Sequence, residues 1–152
     1  IDWNDVGTAM LQDAIWASGT RLTDPGYRNI TTRFVAASLE GWIHCRDNFA
    51  NCVDIVLNNG SALGASHQAW QMNEINALIW PSYGGVGLMD EDLWDQTITV
   101  STDWGDLMAP PDSRAYTTEF VEDALLTLRD KGYDVTGENW LRKTVVLRQA
   151  GE

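Results

Sequence analysis

YRNITTRFVAASLEGW, residues 27–42, is the run around which the rest of the chain organises itself. Phe34, Val35, Leu39 and Trp42 recur at helical spacing on one side and leave Arg33 and Glu40 to water, which reads as the strongest helix in the sequence. Upstream, Asp24-Pro25-Gly26 marks a loop. Before it, the short apolar run Ala14-Ile15-Trp16-Ala17, flanked by Asp13 and Ser18-Gly19, reads as a buried strand. Downstream, Cys45-Arg46-Asp47-Asn48 interrupts the helix, and Asn48 is placed to cap a second one that carries Phe49, Val53, Val56 and Leu57. Asn58-Asn59-Gly60 stops it.

A third helix is expected from Ala65 to about Ile79, ended by Pro81 and by Gly84-Gly85-Val86-Gly87, read as a tight, mobile connector. Asp90 caps a fourth, with Leu93, Thr97, Val100 and Trp104 on one face and Gly105 closing it. A fifth starts at Thr117 or Thr118, turns Val121, Ala124, Leu125 and Leu128 inward, and has Gly132 beyond its end. Only at Lys143–Arg148 does a second strand candidate appear. A self-contained alternating α/β domain would show a strand every 25 to 40 residues or so, roughly the length of one βαβ unit. Five helices between two strands therefore predict a sheet supplied from outside, and the start Ile1-Asp2-Trp3-Asn4, with no Met and no hydrophobic leader, reads as a cut. Residues 1–152 form one segment, with no internal repeat and no dividing linker.

Composition narrows the partners. With 44% apolar residues and eight Trp among 152, the chain has enough aromatic area to demand a core. Its net charge of −12 repels phosphate backbones, which excludes nucleic acid as a natural partner. No run of 18 apolar residues is present, and no basic amphipathic stretch offers itself to an anionic leaflet.

Arg33–Trp42 (RFVAASLEGW) followed by Ala50–Leu57 (ANCVDIVL) resembles the periplasmic solute-binding proteins of ABC importers of the nitrate, sulfonate, taurine and thiamine-pyrimidine-precursor type. In that family a helix of the form RFV-A-L-GW precedes one ending in AVDIVL; Cys52 stands here where the family has Ala. The resemblance continues through Trp70–Glu74, Gly85–Asp90, Trp94–Ile98 and Ala115–Phe120, in order, and covers about residues 7 to 151. It implies the carboxy-terminal part of a two-lobed type II α/β binding protein, helix-rich with few strands: a hinge strand near residues 14–17, then the returning lobe. It further implies a small solute, with nitrogen-containing or heteroaromatic molecules as candidates, and delivery to an ABC permease. The location would be the periplasm or, for a lipoprotein, the cell surface, with no cofactor.

Asp13, next to the apolar run, is either a cleft-facing carboxylate for an amino group of the solute or a simple turn Asp. Met10 and Trp16 are walls of the same pocket or part of a core. Trp70, Asn73 and Glu74 share a helix turn, and present polar groups either to a cleft or to solvent. His44 and His67 lack metal-ligand spacing and read as surface residues. Cys45 and Cys52 flank a helix corner able to bring their Cα atoms within the roughly 4.4–6.8 Å of a disulfide; the alternative is two free thiols.

No nucleophile with its base, no paired-carboxylate site and no P-loop stands out, so the expectation is a binding module rather than an enzyme. The competing reading is an enzyme similar to the pyrimidine synthases of this fold, whose pyridoxal lysine and cysteine-dense motif lie in the first half. A further alternative is an inactive fragment that associates with itself to cover its bare apolar face.

Overall fold

The computed structural model describes residues 2–60 and 62–152; Ile1, with the cut read there, and Ser61 lie outside them. Five α-helices follow in chain order: α1 (Pro25–Asp47), α2 (Phe49–Asn59), α3 (Ala65–Ile79), α4 (Glu91–Asp103) and α5 (Glu119–Asp130). α1 starts before Tyr27 because Asp24 caps it, its Oδ1 accepting the Tyr27 N–H at 2.7 Å. Pro25 fits the first turn, where a missing N–H leaves nothing unsatisfied. The buried stripe of α1 is Val35, Leu39, Ile43 and Arg46. Phe34 and Trp42, expected on that side, remain 59% and 39% exposed. Each lies one residue from a stripe member, and one residue turns a helical side chain by about 100°.

α5 turns Val121, Ala124, Leu125 and Leu128 inward, as its spacing predicts, and Phe120 with them, and they meet α1 in the main core with Trp80, Val86 and Val135. The Gly84–Gly87 connector is pressed onto this core rather than standing free. Val86 is buried and donates its N–H to Val135 O at 2.9 Å, while Ser82 N–H donates to Thr136 O at 2.8 Å. Gly87, at φ +86°, would put a Cβ 2.8 Å from Leu39 Cδ2, so only glycine lets the backbone come this close.

A smaller core joins α2 and α3 through Cys52, Val53 and Met72, with Phe49, Val56, Leu57 and Ala69 around them. Cys45 and Cys52 are disulfide-bonded, with Cα atoms 5.0 Å apart, and tie α1 to α2 across the corner. Asn48 is the residue at that corner, but its amide donates back to His44 O at 3.2 Å rather than capping α2. α4 buries only Ser101, and Trp104, expected on its inner face, is 79% exposed.

The fold is helix-rich, and no strand forms among the described residues. The two segments read as strands, 14–17 and 143–148, are irregular and lack a ladder. A strand exists only through its neighbour's hydrogen bonds, and no neighbouring strand is there to provide them.

Arg46 links the elements at the end of α1. Its side chain is 4% exposed, its Nε and Nη2 donate to the Asp47 carboxylate, its Nη1 donates to Asp134 O at 2.9 Å, and its Cζ lies 4.5 Å over the Trp80 ring. Asp134 folds the following loop by accepting the N–H groups of Thr136 and Gly137, each at 3.0 Å. Those bonds, the Gly137 N–H foremost, hold its carboxyl below the usual aspartate range against the opposing effect of partial burial.

Two outcomes are expected. Reduction of Cys45–Cys52, or its replacement by two serines, should lower stability by about 2–3 kcal/mol, the loop-entropy value for so short a closure, read as a drop in the urea midpoint. Asp134→Ala should cost about 1 kcal/mol at neutral pH, its half-exposed carboxylate being screened. Because the folded-state pKa is lowered, that difference should persist above the ordinary aspartate range and vanish as pH falls through the lowered value, in denaturation curves taken across acid pH.

Candidate functional site

The expected ligand residues fall into two groups on different elements, and no hydrogen bond joins them among the described residues. Met10 is half-buried, whereas Asp13 is exposed and Trp16 is 86% exposed, so Trp16 is neither core nor the wall of a closed pocket. This segment is held where it passes α4. Gln96 Nε2 donates to Ala9 O at 2.6 Å and Thr97 Oγ1 accepts the Leu11 N–H at 2.9 Å. From Gln12 to Ala17 the backbone makes no hydrogen bond to the described chain.

Trp70, Asn73 and Glu74 sit on α3, beneath a carboxy-terminal strap of residues 141–148. Trp70 is exposed and tilts against His67. Asn73 is 3% exposed: its Nδ2 donates to Lys143 O at 2.8 Å and its Oδ1 accepts the Lys143 N–H at 2.9 Å. Glu74 pairs with Arg142, whose hydrogen bond holds the Glu74 carboxyl below its ordinary range. Ser66 Oγ accepts the Arg148 N–H at 3.0 Å, and Lys143 Nζ lies 5.1 Å over the Phe49 ring. Asn73 and Glu74 thus hold this chain's own strap rather than facing an open cleft or solvent. His44 and His67 are exposed, and among the described residues no group of three His, Cys, Asp or Glu is arranged to hold a metal.

A concavity of about 480 Å³ opens between the first turns of α4 and residues 113–118, lined by Glu91, Trp94, Asp95, Ser113, Tyr116, Thr117 and Thr118. The α4 turn is fixed by Asp90, whose Oδ1 accepts the Leu93 N–H at 3.0 Å. The opposite wall is shaped by Asp112, which accepts the Arg114 N–H at 2.9 Å and pairs with its guanidinium, keeping the Asp112 carboxyl below its usual range. Trp94 and Tyr116 meet with ring centroids 4.7 Å apart and planes inclined at 58°. Trp94, Asp95 and Tyr116 entered the sequence reading only as points of resemblance, Thr117 and Thr118 also as the start of the fifth helix, and it assigned none of the lining residues to a site. A signal was available: no Lys or Arg occurs between Arg46 and Arg114, and ten of the twelve net negative charges fall in that interval. A second hollow of about 310 Å³, lined by Ile30, Arg33 and Phe34, lies on α1 alone.

No family model, curated protein or solved structure matches the chain.

Asn73→Ala is expected to cost about 1–3 kcal/mol, because it leaves the Lys143 peptide without either partner and opens a small cavity. Amide exchange at Lys143 should accelerate together with the fall in denaturation midpoint, while α5 amides follow only the global change.

Proposed function

We propose that the chain is part of the solute-binding component of an ABC importer. In this reading it is the returning lobe of a two-lobed periplasmic binding protein that captures a small nitrogen-containing or heteroaromatic molecule and performs no covalent chemistry. The observation that carries the reading is the pair of extended segments, 8–17 and 141–148. Each is held by side chains from one helix, Gln96 and Thr97 for the first and Asn73 for the second, and each leaves most of its backbone groups unpaired within the described chain. Ile15, Trp16, Leu141, Val146 and Leu147 on these segments are 48–86% exposed. Extended backbone flanked by exposed apolar side chains suits docking into a sheet completed by a second lobe, which is what the resemblance through RFVAASLEGW and ANCVDIVL implies.

A helical layer that docks on a shared sheet and closes with its partner lobe over a solute fits hinge closure around a ligand. The liganded, closed form would then be presented to a membrane permease. Among the described residues no helix is long and apolar enough to cross a membrane; in this reading the permease supplies the membrane-spanning part.

Thermal melting of the two-lobed polypeptide against a panel of pyrimidines, sulfonates and amines is the test. One class should raise the midpoint, by the equivalent of about 2.7 kcal/mol at a hundredfold excess over Kd. A flat response across the panel, or conversion of a panel member to product, would count against solute capture.

A further inference from the structure

We propose that the outer face of α1 docks a second copy of this chain, laid antiparallel across it about a two-fold axis at Ala37. The core takes the side of α1 that bears Val35, Leu39, Ile43 and Arg46. The opposite side is uncovered among the described residues: Ile30 and Phe34 are each 59% exposed, and Arg33, Ala37 and Gly41 are exposed with them. No hydrogen bond from residues 8–17 or 141–148 reaches α1 among the described residues, so this face is distinct from both extended segments.

The arrangement of side chains about Ala37 selects a second copy as the occupant. Arg33 and Phe34 stand four and three residues before it, Glu40 and Gly41 three and four after it. At about 100° per residue, Arg33 and Glu40 fall roughly 40° and 60° to one side of Ala37, and Phe34 and Gly41 roughly 60° and 40° to the other. A two-fold axis between antiparallel helices keeps each flank on its own side and reverses the order along it. Arg33 of each copy is thereby laid beside Glu40 of the other, and Phe34 of each beside Gly41 of the other, so that every contact is made twice, as an isologous interface requires. Phe34 is the projecting group and Gly41 the recess: a Cβ at Gly41 would meet nothing within 4 Å on its own chain. With Ala37 at the crossing, the helix axes can approach to about 8 Å.

Charge fixes the direction. Arg33 is in no ion pair among the described residues. Glu40 is oriented by the Tyr133 hydroxyl, which donates to its Oε1 at 2.7 Å, while its Oε2 has Lys131 Nζ at 3.9 Å and room for a second cation. A parallel pairing would instead set Arg33 against Arg33. The chain as a whole carries a net charge of −12, but α1 holds Arg28, Arg33 and Arg46 against Glu40 and Asp47, so two copies repel least along this helix. The contact covers one helix face, at the low end of specific interfaces, below about 1,200 Å² in total, so the pairing is reversible, with a Kd of about 10–100 µM.

Sedimentation equilibrium of the protein from about 10 µM to 1 mM, at constant ionic strength, reads the association. The native sequence should pass from monomer to dimer across that range. Gly41→Leu should stay monomeric throughout and melt about 2–4 °C higher, because leucine fills the recess yet favours the helix more than glycine does. Arg33→Glu and Glu40→Arg should each weaken self-association about tenfold or more by setting like charges together. An equimolar mixture of those two variants should pair about as tightly as the native chain, since both flanking contacts then join opposite charges. A native chain still monomeric at about 1 mM, a dimer that survives Gly41→Leu, or a mixture no tighter than its separate components would each overturn the assignment.

Discussion

A guanidinium sealed from water must have its donors answered by the protein, and Arg46 meets that demand by drawing three separate parts of the chain to one point. Asp47 takes its forked end, the Asp134 carbonyl takes a further N–H, and the Trp80 indole covers its face. Trp80 is fixed in turn by donating its Nε1–H to Asn76 on α3. The last turn of α1, the end of α3 and the loop after α5 are therefore registered against one another by a single side chain. Gly137 completes the arrangement: at φ +62° it has no Cβ to meet Trp80 and Arg46, which would stand 2.6 Å and 2.9 Å away. A lysine could not replace Arg46, since its point charge offers neither the fork nor the flat face.

Around that point the molecule is built in two grades. The α1–α5 core is apolar and densely shared, and the disulfide ties its corner to the smaller α2–α3 core. α4 and the two extended segments are attached more lightly, mostly through side-chain amides and hydroxyls that bind backbone. The concavity beside Trp94 and Tyr116 lies in this lighter part, where local adjustment is least opposed by packing.

The helices were legible because their signals are local. Asp90 and the apolar spacing of α5 mark an end and a face that the structure reproduces. What the sequence left unread depends on distant partners. Phe34 and Trp42 look as apolar as Val35 and Leu39, and only the position of α5 decides which of them is covered. Asn73 and Glu74 resemble any polar helix turn until the strap, some seventy residues on, arrives to use them. Ala14–Ala17 and Lys143–Arg148 have the composition of strands, but composition cannot supply a neighbour. The glycine loop reads as tight and mobile because glycine permits motion; here it permits proximity instead.

The grip of Asn73 on Lys143 imitates a strand neighbour, offering one donor and one acceptor to a single peptide, and among the described residues the opposite margin of the strap has no such partner. Free margins of this kind are where copies of a protein adhere to one another and seed aggregates. Arg142 and Lys143 commit their cationic ends to the helices beneath, one to Glu74 and the other over the Phe49 ring, so a second strap laid alongside at strand spacing, about 4.8 Å, would crowd charged side chains already in use. Charged side chains anchored along the strap in this way discourage the protein from coagulating with itself.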